Sequence, residues 1–245
     1  MNNYLLKQMK FQISMVMLIL SSCYYLNAQT FTGSIINTAG NSLIPSTGTG
    51  GCTVAPQTTG GTIFNNVVTG LSGNCVRLSS IQINLTHTWD DDLDIFLRSP
   101  TGQILELVTD WGGSANNFTN TIFCDTSCTV ITSGAAPFTG IFKPEGTLTA
   151  TACGTTITPN VQALNAFTAT NGTWELVIKD DVGGDVGVML AWSLNFENIA
   201  DIESPVGTTI LPMAPGTCTP LGGVACLSPN ITSCARTNNG IFYSL

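Results

Sequence analysis

Charged side chains are scarce in this chain of 245 residues, of which only 9% are Asp, Glu, Lys or Arg. A helical bundle would need more Glu, Lys, Ala and Leu, so the composition argues against a helical fold. Abundant Thr, Ser, Asn and Gly suit polar strand faces and tight turns. The length allows one large domain with appendages or two small domains, and the composition favours one extracellular β domain.

Histidine is nearly absent as well, and His87 is the single one. A serine protease needs a nucleophile, a His base and an acid that orients the base. His87 could serve only Ser114, which follows two glycines, yet the flanking threonines place His87 inside a strand pattern. We therefore predict that this polypeptide has no catalytic site of its own.

No apolar run reaches the ~20 residues that a membrane-spanning helix needs. The run from Phe11 to Leu20 follows Lys7 and Lys10 and precedes small residues, which is the arrangement of a secretory signal peptide ending at Ala28. Cys23 alternatively fits a bacterial lipoprotein signal, and the chain would contact a membrane only through that lipid. Removing residues 1–28 deletes two lysines and no acid, so the formal charge moves from −8 to −10. This charge argues against nucleic acid as a partner.

Cysteine is present in an even number once Cys23 is set aside. The other eight are Cys52, Cys75, Cys124, Cys128, Cys153, Cys218, Cys226 and Cys234. Export to an oxidising compartment favours disulfides, and the absence of a CxxC pair argues against zinc. Cys124 with Cys128 and Cys52 with Cys75 are the local pairs we expect, although spacing leaves the connectivity open.

Several segments alternate apolar and polar residues with the period of a β-strand. Such segments are 79–88, 93–98, 104–109, 174–179 and 188–196, and in the last one Val188, Leu190, Trp192, Leu194 and Phe196 form the apolar set. Pro100 and Gly102 indicate a turn between the second and third segments. This pattern predicts an all-β, antiparallel sandwich.

Carboxylates are concentrated in two short stretches. Asp90, Asp92 and Asp94 belong to the first together with Asp91, and the second lies at 180–185. Such carboxylates repel one another unless they are solvated or neutralised, and Ca²⁺ takes six to eight oxygen ligands. We predict a calcium site at Asp90, Asp92 and Asp94. The alternative is a solvated turn whose Asp side chains cap backbone amides, and no EF-hand loop is present.

Four tryptophans are present, and their positions differ. Trp174 and Trp192 lie on the apolar phase of their strands and are predicted to be core residues. Trp89 and Trp111 fall in loops, so these two are the plausible surface residues for stacking against a ligand.

Eight short motifs follow one another in order. They are Thr86-His87-Thr88, Asp92-Leu93-Asp94-Ile95, Ser99-Pro100-Thr101-Gly102, Gly112-Gly113-Ser114, Asn117-Phe118, Ala136-Pro137-Phe138, Asn171-Gly172-Thr173-Trp174 and Ala191-Trp192-Ser193-Leu194. This order resembles the P domain (P/Homo B domain) that follows the catalytic domain of proprotein convertases and other subtilisin-like serine endopeptidases. The resemblance implies a jelly-roll-like sandwich that stabilises a neighbouring serine protease and holds none of its catalytic residues.

The resulting domain prediction has three parts. Residues 1–28 are a signal peptide, 30–199 form the P domain, and 200–245 are a linker with a cysteine-containing tail or the start of a further module. The predicted location is secreted or cell-surface, and the predicted partner is a serine protease domain or a cell-surface protein. The alternative function is a free-standing adhesion module that binds carbohydrate or protein.

Overall fold

The computed structural model describes residues 29–53, 55, 60–71, 76–147 and 158–198, with the backbone of 235–236 and 242–243. The predicted signal peptide and most of the predicted tail lie outside these residues. Among the described residues, every helical segment is a single 3₁₀ turn, and none could cross a membrane.

Twelve strands account for most of the regular structure of the described residues. They are β1 Gln29–Thr32, β2 Leu43–Ile44, β3 Thr62–Val68, β4 Val76–His87, β5 Leu93–Arg98, β6 Ile104–Val108, β7 Phe118–Phe123, β8 Gly140–Phe142, β9 Gly172–Asp180, β10 Gly187–Asn198, β11 Ala235–Arg236 and β12 Phe242–Tyr243. One sheet has the order β1-β10-β4-β7-β8, with β2 also paired to β10. The other has the order β3-β9-β5-β6, and β11 pairs with β12. All pairs are antiparallel except β7 with β8.

The two sheets share one apolar core. From β4, Ile81, Ile83 and Leu85 are fully buried, as their alternation predicts. Trp174 of β9 and Trp192 of β10 also lie in this core, so the prediction for both tryptophans is confirmed. Apolar faces of two antiparallel-rich sheets thus bury each other, and the predicted all-β sandwich is confirmed.

The predicted hairpin forms between β5 and β6. Ser99 and Gln103 close its turn, since the Ser99 amide donates to the Gln103 carbonyl at 2.8 Å. Gly102 has φ +82°, a conformation that glycine adopts without a steric cost. The turn signal in the sequence therefore identified the correct residue for the left-handed position.

The alternation predicted for β10 is wrong at its beginning. A register shift against β4 between Met189 and Ala191 marks a β-bulge. Met189 is buried, whereas Leu190 is 48% exposed. A bulge inserts one extra residue into a strand and reverses the side-chain phase on one side of it, which explains why Leu190 leaves the core face.

Two cysteines of the described region, Cys52 and Cys124, are disulfide-bonded. The bond of Cys124 does not involve Cys128, so that expected local pair is wrong. The expected partner of Cys52, Cys75, lies outside the described residues.

Candidate functional site

The ends of three neighbouring strands meet at one edge of the four-stranded sheet. Leu93 at the start of β5 pairs with Asp180 at the end of β9, and Ile95 pairs with Val108 at the end of β6. The loops that follow β6 and β9 therefore leave the sheet beside the beginning of β5. This edge, which we call the acidic edge, holds Asp90, Asp91, Asp92, Asp94, Asp110, Asp180, Asp181 and Asp185.

Asp90 joins two loops at the acidic edge. It opens the 3₁₀ turn Asp90–Asp92, and its Oδ1 accepts a hydrogen bond from the Asn117 amide at 2.8 Å. The Asp90 amide in turn donates to the Ala115 carbonyl at 3.0 Å. Gly112 lies against this turn, and a Cβ there would stand 2.8 Å from the Asp90 Cβ. The glycine motif at 112–113 therefore permits close packing of the two loops.

Asp94 is the most unusual acid of the edge. It alternates with the core residues Leu93 and Ile95, so its carboxyl leaves the strand on the face away from the core. The side chain is nevertheless fully buried, and neither carboxylate oxygen has a hydrogen-bond partner. Burial, followed by the charges of Asp110 and Asp181, raises its pKa to about 8, although Lys179 opposes the shift.

Asp92 and Asp90 are also buried, and each has one carboxylate oxygen without a partner. Burial raises the pKa of both to about 6. For Asp92, the charges of Asp180 and Asp185 add to this effect. The three predicted calcium ligands thus lie at one edge of the sandwich, but they have different neighbours.

His87 forms a buried pair with Asp180. The His87 Nδ1 lies 2.7 Å from the Trp89 carbonyl oxygen, and the Nε2 lies 3.2 Å from the Asp180 Oδ2. Burial alone would lower the pKa of His87, but the hydrogen bonds to Asp180 and the Trp89 carbonyl raise it overall. The Trp89 amide also lies 3.3 Å from Nδ1, but the acceptors at 2.7 Å from Nδ1 and 3.2 Å from Nε2 are closer and suit the doubly protonated ring.

The contacts of His87 also determine whether it can act as a catalytic base. Both ring nitrogens are engaged, and Ser114 is exposed on the loop after β6. A general base must reach the proton of its nucleophile, and this geometry gives His87 no such contact with Ser114. His87 is therefore a structural residue at the end of β4.

Asp110, which no acidic stretch in the sequence includes, and Asp181 of the second stretch complete the surroundings of Asp94. Asp110 is exposed and has φ +48° at the residue after Thr109, and Asp181 is half-buried. Burial and then the charge of Asp110 raise the pKa of Asp181 to about 6, and burial followed by the charges of Asp91 and Glu106 raises that of Asp110. Within the described ranges, no three acids, histidines or cysteines converge closely enough to hold a metal as they stand.

Comparison with known proteins finds no family model that matches the chain. Over 129 residues, the chain is 25% identical to Leupeptin-inactivating enzyme 1 of Streptomyces exfoliatus. The matched stretch makes up 53% of this chain but only 20% of that protein. The chain resembles part of an enzyme. It spans about a fifth of the relative's length, so the similarity does not extend to the whole protein.

Trp89 and Trp111 flank the acidic edge on its solvent side. They are 42% and 40% exposed. Trp89 precedes the turn at Asp90, and Trp111 precedes Gly112 on the loop whose Gly113 carbonyl accepts from the Asp91 amide at 3.3 Å. The two exposed rings therefore belong to loops that hydrogen-bond to each other.

Sequence reasoning found part of this site. The density of Asp at 90–94 and 180–185 identified both stretches, but Asp110 and Glu106 gave no such signal. They reach the site because β6 pairs with β5, a register that spacing along the chain does not reveal. The partnership of His87 with Asp180 was missed for the same reason, since 93 residues separate them.

Proposed function

We propose that this chain is a secreted, non-catalytic module of the P-domain kind that stabilises or positions an enzyme domain, with a subtilisin-like serine protease as the expected partner. The observation that carries the proposal is the match to a fifth of a longer enzyme. A module that accompanies a catalytic domain would match in this way. The confirmed sandwich fold and the eight ordered motifs agree with it.

The site geometry supports a non-catalytic role. His87 is committed to Asp180 and to the Trp89 carbonyl, and these contacts hold the ends of β4 and β9 together. The buried acids at the same edge lie in the 3₁₀ turn Asp90–Asp92, at the start of β5 and at the end of β9. Stabilising another domain requires only sheet faces and loops, which this fold supplies.

Secretion and location follow from the same proposal. Lys7, Lys10 and the apolar run after them support export, with either a soluble product or one anchored through Cys23. The mature charge of −10 supports a protein or cell-surface partner over nucleic acid.

The test uses the chain from residue 29 onward, immobilised and exposed to the proteins secreted by its own source culture. Captured proteins are identified by mass spectrometry, and the purified chain is assayed for peptidase activity. We expect a serine protease among the captured proteins, a longer half-life of that protease at elevated temperature with the chain present, and no cleavage by the chain alone. Cleavage that disappears in His87→Ala, with the variant still folded, would overturn the proposal.

A second candidate function is recognition of glycans at a cell surface. The observation in its favour is the pair of exposed rings, Trp89 and Trp111, on loops bound to each other. Aromatic faces supply large apolar contact area at a surface. Binding to immobilised polysaccharide that is lost in Trp89→Ala and Trp111→Ala, but retained when the exposed Leu190 is changed to Ala, would support this function. Equal binding by all variants would remove it.

A further inference from the structure

Asp94 is a buried carboxyl that the described residues leave without a hydrogen bond, although the buried Lys179, its partner in the register of β5 with β9, attracts it electrostatically. Its carboxyl is fully buried, and neither oxygen accepts a hydrogen bond. A buried ionised carboxylate without a partner is costly, and proteins normally pair such a group or coordinate a cation with it. Asp94 therefore stays protonated to about pH 8, where its raised pKa lies, and its ionised form calls for a cation in addition to Lys179.

Acids from two other strand ends lie toward Asp94. Asp110 follows the end of β6 and Asp181 follows the end of β9, and both strands pair with β5. The Asp181 amide donates to the Asp92 carbonyl at 3.0 Å, which holds the loop after β9 beside the start of β5. Three acids from three chain segments thus lie at the same end of the sheet, although their side chains do not converge on one point as they stand.

Other acids nearby already have partners. The Glu106 carboxylate accepts from the Thr147 amide at 2.8 Å and from the Thr109 hydroxyl at 3.0 Å. Asp180 pairs with His87, and Asp90 accepts from the Asn117 amide. Asp90 and Asp180 each keep one buried oxygen without a partner, whereas Asp94 lacks a hydrogen-bond partner at both oxygens.

We propose that Asp94, Asp110 and Asp181 bind one Ca²⁺ ion at the acidic edge. The donors are all oxygens, which are hard ligands that suit Ca²⁺ and Mg²⁺ rather than zinc. Ca²⁺ accepts irregular coordination at 2.3–2.6 Å with carbonyl and water ligands, whereas Mg²⁺ demands near-octahedral geometry. This tolerance matters because the three side chains must rotate to converge. The exposed Asp110 gives the ion a route from solvent.

The inference does not depend on the accessory role proposed above, because it concerns the chain alone. Its test is thermal unfolding of the purified chain, from residue 29 onward, in EGTA and in CaCl₂. We expect Ca²⁺ to raise the Tm by roughly 5–10 °C at a concentration about 100-fold above its Kd. Isothermal titration should give one ion per chain, and Tb³⁺ bound in place of Ca²⁺ should luminesce on excitation of Trp111.

Three variants decide the location of the ion. Asp94→Asn should have a Tm in EGTA equal to or above that of the wild type, because the amide carries no charge, and should lose the calcium response. Asp181→Asn, at a half-buried position, should lower the affinity for Ca²⁺ at least tenfold. This variant tests the site even if Asp94→Asn does not fold. The control is Glu175→Gln at the far end of β9, which should retain the full response. A wild-type Tm that Ca²⁺ does not change, or an equal response in all variants, would overturn the proposal.

Discussion

Individual residues at the acidic edge divide into two groups. His87, Asp90, Asp180 and Glu106 have hydrogen-bond partners within the fold, and these partners come from different strands or loops. Asp94 lacks any such partner although it is equally buried. Buried aspartates of this edge thus differ in how far they are satisfied, because Asp90 and Asp180 each have one oxygen without a partner and Asp94 has two.

The pair between His87 and Asp180 should be important for stability. Removing one member leaves the other buried without its partner, and breaking a buried pair costs roughly 3–5 kcal/mol. We expect Asp180→Ala to lower the free energy of unfolding by about that amount in urea denaturation at pH 6. Glu175→Gln, which alters a partly exposed pair with Arg98, should cost about 1 kcal/mol or less.

A double-mutant cycle separates the pair from its surroundings. Combining His87→Ala with Asp180→Ala should cost less than the sum of the single changes, since the second substitution removes a group that the first left unpaired. Additive costs would contradict the assignment of a coupled pair.

At the scale of single elements, local signals predicted most of what formed. The alternation in β4 and the turn at Pro100 and Gly102 gave the correct buried faces and the correct hairpin. The buried face predicted for the beginning of β10 was wrong, because the bulge at Leu190 depends on the register of β10 with β4. The acidic edge was likewise predicted only where its residues are close along the chain. The stretch at 90–94 was visible in the sequence, but Asp110 joins it only through strand pairing.

The turn of the hairpin allows a direct test at this scale. Gly102 has φ +82°, and an alanine there must adopt a strained backbone. We expect Gly102→Ala to lower the free energy of unfolding by about 1 kcal/mol or somewhat more. Thr101→Ala, one residue earlier in the same turn, should change it by about 0.5 kcal/mol or less. Equal effects at both positions would indicate that the turn does not need the left-handed conformation.

For the whole molecule, the buried acids predict how stability depends on pH. In the folded state the pKa is about 8 for Asp94 and about 6 for Asp90, Asp92 and Asp181, compared with about 3.9 in an unfolded chain. A carboxyl whose pKa is raised by folding contributes stability that is fully present below the unfolded value. That contribution is lost as the pH rises through the folded value. As the pH rises from about 4 to its own folded pKa, each of these groups progressively lowers the stability of the fold. The loss persists at higher pH.

We expect the urea midpoint of the chain in EGTA to fall from pH 5 to pH 8. The part of the fall above pH 7 should shrink in Asp94→Asn, because the other three acids, with pKa values of about 6, are largely ionised by then. The raised pKa of His87 also causes a loss of stability as the pH rises. The urea midpoint of Asp94→Asn should therefore still fall somewhat with pH. A midpoint that rises over this range would contradict the burial of these acids.

We propose that the sandwich supports another domain and performs no catalysis itself. The most direct measurement is the rate of thermal inactivation of a captured, purified serine protease, with and without an equimolar amount of this chain. The account predicts slower inactivation with the chain present, and no peptide cleavage by the chain alone. An unchanged rate, or cleavage by the chain that depends on His87, would contradict it.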